Sequence, residues 1–332
     1  MPQTSRLLTA DRGDHGLRLD LVLRRHLADV RRATRTRVQR WIEDGRVSVN
    51  GRPVRRVSAR IAVGDLVAIS LPDDAPRTAM AAEDARLDVI FEDDHLIAID
   101  KPAGLVVHPT YRHSTGTLMN ALLSIARKWP SPQRPSLVSR LDKLTSGIVV
   151  VAKNAASHAA LQRAMASNDG EKDYLAVVYG RVNVARGEID LRLARDRGDR
   201  RRVSASATIG AESLTRFVRL ARVAAPRAGL SLLRCRLATG RTHQIRVHLA
   251  ARGWPLVGDP TYGEPRWTRV DDPQLAATLR AFPRQALHAW RVAFTHPVTH
   301  ARLTLEAPLP PDLAALLNVA KLTLPPSSQL VR

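Results

Sequence analysis

A strand-like apolar run, Ile148–Ala152, carries a carboxylate at its mouth. Residues 139–153 read Ser-Arg-Leu-Asp-Lys-Leu-Thr-Ser-Gly-Ile-Val-Val-Val-Ala-Lys. Asp142 stands between two cations, Arg140 and Lys143, and a Gly turn leads at once into the run. Such a run is most simply a core strand. A carboxylate held at the edge of a rigid strand and flanked by basic residues suits chemistry on an anionic substrate.

Charge indicates the kind of anion. The 332 residues hold 52 Lys and Arg against 31 Asp and Glu, a net charge of +21. A polyanion is the default partner at this balance, because every neutralised phosphate releases counterions. A membrane surface fits less well: aromatics are 4% of residues, and no long basic amphipathic helix with aromatic anchors is visible. Nor does any apolar run approach the roughly 20 residues that span a bilayer. Residues 1–16 lack the apolar stretch of a signal peptide, so a cytoplasmic protein is expected. Cys235 is the only cysteine, which leaves no intramolecular disulfide and no Cys-based zinc cluster. The length suggests about two domains of roughly 100–200 residues each.

Residues 1–15 read as a flexible tail. From 16 to 72 the chain has its own pattern. Helices are expected over Arg18–Leu27 and Thr36–Asp44, with Gly45 as a stop. A strand Val47–Val49, an Asn50-Gly51 turn and a strand Leu66–Leu71 follow. Residues 31–60 hold ten arginines against Glu43 and Asp44 alone. A charge run is usually a solvated face, but this one continues through a helix and the next hairpin. The module resembles the S4-type RNA-binding domain. The resemblance rests on Arg18-Leu19-Asp20, the Arg37-Val38-Gln39-Arg40-Trp41-Ile42 helix, Asp44-Gly45-Arg46-Val47-Ser48-Val49-Asn50-Gly51 and Gly64-Asp65. It implies contact with structured RNA through Arg37, Arg40 and Arg46, reading phosphate position and shape.

Residues 73–86 read as a linker, 87–316 as a larger domain and 317–332 as a C-terminal tail. In the larger domain, strands are expected around a Glu92-Asp93-Asp94 turn and at Tyr174–Tyr179, Leu230–Leu237, Arg291–Thr295 and Ala301–Glu306. Helices are expected at Thr117–Arg127, Ala155–Ala166 and Thr242–Ala251, with Thr242 as the last one's N-cap. Three blocks stand out besides the strand-edge aspartate: Lys101-Pro-Ala-Gly-Leu-Val-Val-His108-Pro109, Lys172-Asp-Tyr174, and Thr239-Gly-Arg241-Thr-His243-Gln-Ile-Arg246-Val-His248 with Gly258-Asp259-Pro260 beyond it.

Together and in this order they closely resemble the RluA-type family of RNA pseudouridine synthases, over about residues 87–310. The resemblance implies an α/β (α+β) catalytic domain with a mixed, mostly antiparallel sheet and flanking helices. It also implies an isomerase that needs no cofactor and no metal. Converting uridine to pseudouridine exchanges a carbon–nitrogen for a carbon–carbon glycosidic bond without redox or phosphoryl transfer, and one carboxylate can serve. That role falls to Asp142; whether it attacks sugar or base, or assists elimination, stays open. A catalytic carboxylate must remain ionised, and the resemblance gives Arg246 as the partner that favours this state and fixes its rotamer. Tyr174 matches the tyrosine that packs on the base. Arg140 matches the residue that enters the helix vacated by a flipped nucleotide. Lys143, Lys101, His108, Arg241 and His243 are expected RNA contacts, as is a basic loop from Arg195 to Arg202. His243 and His248 are five apart, which does not put them on one helix face as a metal pair would require. Ser139 departs from the family, where His commonly precedes the arginine. The expected substrate is structured RNA bound by a monomer, with large-subunit (23S) ribosomal RNA favoured, as free RNA or in a pre-ribosomal particle. Transfer RNA and a non-catalytic role in ribosome assembly are the alternatives.

Overall fold

The computed structural model describes residues 5–28, 30, 33–71, 80–109, 113–167, 169–196, 198–199, 202–223, 229–263 and 266–326. The chain divides into two compact units, Met1–Ala79 and Met80–Arg332.

In the smaller unit, β1 (Ser5–Thr9) precedes α1 (Leu19–His26), α2 (Arg35–Glu43), β2 (Val47–Val49), β3 (Arg52–Pro53) and β4 (Leu66–Ser70). The strands form an antiparallel sheet in the order β1-β4-β2-β3. Leu19, Val22 and Leu23 of α1 recur at helical spacing and meet Val38, Trp41 and Ile42 of α2 over Val67 and Ile69. Asp20 is fully buried between the helices and accepts from Arg18 Nε and Gln39 Nε2, each at 2.9 Å. Asn50 and Gly51 both take positive φ, as a two-residue hairpin turn requires. The expectation of a flexible tail over 1–15 is corrected for residues 5–15. Ser5–Thr9 pairs along β4, from Ser5 opposite Ser70 to Thr9 opposite Leu66, and satisfies an edge that would otherwise expose its backbone groups. Residues 1–4, and Arg31 and Arg32 of the basic run, lie outside the described residues.

The larger unit begins with β5 (Asp88–Glu92), β6 (Leu96–Lys101), α3 (Leu118–Ile125), β7 (Ser136–Leu137), β8 (Ser146–Ala152), α4 (Ala155–Ala166) and β9 (Glu171–Tyr179). It continues with β10 (Arg186–Asp190), β11 (Arg192–Arg195), β12 (Val203–Ser206), β13 (Leu214–Val223), β14 (Leu230–Leu237) and α5 (Gln244–Ala251). It ends with α6 (Pro273–Ala281), β15 (Leu287–Thr295), β16 (Arg302–Glu306) and α7 (Pro311–Val319). A ten-stranded sheet runs β10-β13-β14-β9-β15-β8-β6-β5, with β16 on β15 and β7 on β8; β11 and β12 form a separate ribbon. Among the described strand pairs of this sheet only β15 against β8 is parallel, so the sheet is mixed and mostly antiparallel.

The apolar run at β8 is explained by cover on both faces. Ile148 and Val150 pack with Leu161 and Met165 of α4, while Val149 and Val151 pack with Leu118 and Leu122 of α3. Each such side chain contributes about 1.5–3 kcal/mol on burial. Helix α5 lies on the sheet face that carries Leu233, Cys235 and Phe217. The opposite face, at Val177, Tyr179, Leu230 and Leu232, is covered by leucines of α6 and α7.

Two boundaries need correction. The expected tail 317–332 begins inside α7, and Leu317, Ala320 and Leu322 are buried in the core because they complete that leucine layer; 327–332 lie outside the described residues. Of the expected linker, 73–79 lie outside the described residues, but 80–86 are anchored on α3. Ala81 O accepts from Asn120 Nδ2 at 2.7 Å, and the Glu83 carboxylate accepts from Gly116 N at 2.8 Å.

Candidate active site

The Asp142 loop joins β7 to β8 and is clamped from beneath. Lys143 O accepts from Gly104 N at 2.8 Å and from Lys101 Nζ at 3.1 Å. Thr145 N returns to Asp142 O at 3.0 Å, and Gln285 Nε2 donates to Thr145 Oγ1 at 3.0 Å. Ser139 Oγ accepts from Val150 N at 3.1 Å, so the residue that departs from the family pattern ties the loop to β8. These bonds hold the Asp142 backbone while its carboxylate stays about a quarter exposed.

That carboxylate faces α5. Arg246 donates from Nη1 to Asp142 Oδ2 at 2.8 Å, and from Nε and Nη2 to the two oxygens of Asp259 at 2.7 and 2.8 Å. One buried guanidinium thus bridges two carboxylates. Asp259 is itself buried and accepts from Thr261 N and Tyr262 N at 2.8 and 3.0 Å. Burial opposes its charge, but Arg246 and these amides outweigh it and hold the carboxyl below its ordinary range. Burial likewise works against the Arg246 charge, and Asp259, then Asp142, more than restore it. The guanidinium is therefore a fixed cation, with the planar fork that a bidentate carboxylate pairing needs.

Around this chain lie Tyr174 and His243. Tyr174 projects from β9 into the same cavity, where burial, and then the Asp142 charge, keep its hydroxyl protonated well above the usual phenol range. His243 has φ +57°, and this left-handed residue, not Thr242, caps α5. The expectation for Thr242 is corrected: the turn is braced by Gln244, which accepts from Arg241 N and Thr239 Oγ1 and donates to Leu214 O and Thr215 Oγ1. With its backbone turned this way, His243 puts Nε2 at 3.8 Å from Asp142 Oδ2 and Nδ1 at 2.9 Å from the Tyr262 hydroxyl. Burial is the main cause that lowers its pKa, with Arg246 adding to it and Asp142 opposing, so the imidazole is neutral near pH 7.

The cavity continues into a cleft of about 940 Å³. Of the residues expected from sequence, Arg140, Asp142, Lys143, Tyr174, His108 and Arg241 line it, and His243 and Arg246 line its inner end. Arg140, Lys143, His108 and Arg241 are exposed at the rim, as cations meeting a polyanion must be. Lys101 is a correction. Its side chain is fully buried, and its ammonium donates to Pro102 O, Leu105 O and Lys143 O at 2.8, 3.0 and 3.1 Å. It cannot reach RNA; it fastens the Asp142 loop. His248 is also buried, against Thr215 and Ser213. Arg37 and Arg40 on α2, and Arg46 after it, belong to the smaller unit; Arg40 is exposed and the other two are half-buried. In the expected basic loop, Arg195 and Arg202 are described, and Arg197, Arg200 and Arg201 lie outside the described residues.

Asp259, Tyr262 and Lys172 carry no role that the amino-acid sequence alone assigns. Asp259 was visible within Gly258-Asp259-Pro260, but only tertiary structure brings that turn under Arg246. Tyr262 accepts from Val203 N at 2.8 Å, with the Arg246 guanidinium 5.1 Å from its ring centroid. Lys172 lines the cleft beside Tyr174, two positions along the same face of β9.

Residues 95–251 match the family model described as RNA pseudouridylate synthase, and residues 17–67 match the S4 domain. A protein of Nitrosomonas europaea called ribosomal large subunit pseudouridine synthase D is 40% identical over 94% of this chain and 87% of its own length. The protein of that name from Pseudomonas aeruginosa is 39% identical over 87% and 88%. An uncharacterised RNA pseudouridine synthase of Bacillus subtilis, YlyB, is 39% identical over 86% and 89%. Among solved structures, human RNA pseudouridylate synthase domain containing 4 matches with a TM-score of 0.58 at 22% identity, over 72% of this chain and 95% of its own. That likeness speaks for the fold.

Proposed function

The chain belongs to the RNA pseudouridylate synthase family, and from that premise we propose that it isomerises uridines of large-subunit ribosomal RNA to pseudouridine, with Asp142 as the reacting carboxylate. The reaction breaks the bond from N1 to C1′ and forms one from C5 to C1′, while a proton leaves C5 and N1 gains one. Atoms and electrons balance within the nucleoside, so the work required is bond exchange, base rotation and proton transfer. The observation that carries the proposal is the chain Asp142–Arg246–Asp259 at the inner end of the cleft. Only its first carboxylate is open to a substrate; the second is enclosed and serves the arginine.

The rest of the site supports the same reading. The Tyr174 ring, its hydroxyl held un-ionised by burial, gives the freed uracil a flat wall. A neutral His243 adds a polar contact beside Asp142 without a second cation. Arg140 at the rim suits the gap that a flipped nucleotide leaves, where a guanidinium can stack. All of these groups come from one chain, so the proposal needs no second copy. Ribosomal RNA is favoured because relatives that match along nearly their whole length carry that substrate in their names. Such RNA is met in the cytoplasm, free or within an assembling subunit.

The test is carbodiimide mapping of pseudouridine in total RNA from cells lacking the gene, rescued with wild type or D142N. Large-subunit sites that vanish, return with wild type and stay absent with D142N are the expected result. An unchanged map, or loss confined to transfer RNA, contradicts the proposal.

A further inference from the structure

The sheet face opposite the cleft carries a charged row that the reaction leaves unused. Tyr174, Cys235 and Phe217 stand in cross-strand register on the α5 side, so their strand neighbours point the other way. The neighbouring row runs Glu188, Arg216, Arg236, Asp173, Arg291 and Glu306, crossing β10, β13, β14, β9, β15 and β16 in direct register. Most steps pair opposite signs. Glu188 accepts from Arg216 at 2.7 Å, and Asp173 accepts from both forks of Arg236 at 2.7 Å. One step does not: Arg216 and Arg236 are direct partners, and like charges so placed repel.

The repulsion is compounded in the next row on the same face, where Arg186 and Arg234 flank Val218. The carboxylates nearby are already shared, since Asp173 and Glu171 also accept from Arg291 at 3.3 and 2.6 Å. Burial, and then the Arg236 and Arg291 charges, lower the Arg234 pKa, with Asp173 opposing. The four arginines, with Glu188 and Val218 of the same face, open onto one cavity of about 250 Å³. The leucines of α6 and α7 cover this sheet face at Leu230 and Leu232; Arg234 and Arg236, further along β14, line the cavity instead.

We propose that this arginine cavity binds a backbone phosphate of the substrate RNA, as a second contact on the face away from the cleft. The inference rests on the reading that the substrate is RNA. The row itself balances three arginines with three carboxylates, but the cavity lining sets four arginines against Glu188 alone; a phosphate carries the opposite charge, and guanidinium forks match its oxygens. β10 is the edge of the sheet, and an RNA extending beyond the segment that enters the cleft would reach the cavity around it.

The test compares wild type, R186Q/R216Q and R186K/R216K. Both residues are exposed, and thermal midpoints verify folding. Binding is titrated with salt on a structured ribosomal RNA fragment and on a short stem-loop holding only the target uridine. On the long fragment the Gln pair should flatten the slope of log K against log salt by about 1, the worth of one phosphate contact. The Lys pair should keep the wild-type slope. On the stem-loop all three should coincide. Equal slopes on the long fragment overturn the inference and leave the cavity to an acidic protein segment. An equal loss on the stem-loop overturns it too, because the contact would not be separate. Wild-type protein that modifies neither RNA removes the functional reading itself.

Discussion

Arg246 holds two carboxylates with one guanidinium, and neither contact can be lost cheaply. A lysine keeps the charge but cannot donate along two edges at once. R246K should therefore bind RNA normally while single-turnover modification slows by about 100-fold, the order expected when a reacting group loses its alignment; wild-type turnover would show that charge alone suffices. D259N leaves the buried guanidinium without its principal counter-charge. Removing one partner of such a pair costs about 3–5 kcal/mol, readable as a lowered urea midpoint, and an unchanged midpoint would refute the structural role given to Asp259. At this scale the sequence was most legible where residues sit inside contiguous motifs: Asp142, Tyr174 and Arg246 do converge on one cavity. It misled at Lys101, because a lysine beside a Pro-Gly turn looks solvent-facing until β8 and the Asp142 loop enclose it. Asp259 escaped notice because its partner is thirteen residues away and only a tertiary turn unites them.

At the scale of elements, the loop that carries Asp142 is stiffened by the strand that follows it. Gly147 has φ +109°, and a Cβ there would lie 2.2 Å from Ala289 O on β15. G147A should therefore disturb the parallel pairing of β15 with β8. A loss of about 3 kcal/mol or more is expected, combining left-handed strain with overpacking. Denaturant unfolding reads the loss, and a cost under about 1 kcal/mol would mean that the close approach relaxes freely. Elements whose periodicity is unbroken were legible from sequence, α4 over Ala155–Ala166 and the hairpin of β5 and β6 among them. β1, β10 and β13 were not, because their exposed faces carry arginines that mask the alternation. α7 was hidden by the prolines before it, one of which simply begins the helix.

For the whole molecule, acid should reveal how the catalytic sheet is sealed. His288 on β15 is fully buried beside Ser146, and burial lowers its pKa to about 4. The unfolded chain takes up a proton from its ordinary value of 6.5 downward, but the folded chain does so only near 4. Stability is therefore complete above 6.5 and falls as pH drops through that window, by about 2–3 kcal/mol at pH 4.5. Urea unfolding of wild type and H288Q at pH 7.5 and 4.5 tests this: the variant should lose less, and equal losses would assign the acid sensitivity elsewhere. The two-part plan was legible at this scale from charge and motif order, while the ends of each part were not, because Ser5–Thr9 and the residues after Leu316 hold their places through contacts distant in sequence. On the proposed reading, Asp142 takes part in exchanging the glycosidic bonds of a uridine. Because C5 must lose its hydrogen, release of tritium from large-subunit ribosomal RNA labelled at uridine C5 reads the event directly. Wild type should release tritium, and D142N, binding the same RNA with the same affinity, should release at least about 1,000-fold more slowly. Release by D142N at the wild-type rate, or none by either protein, would rule out Asp142 as the reacting carboxylate.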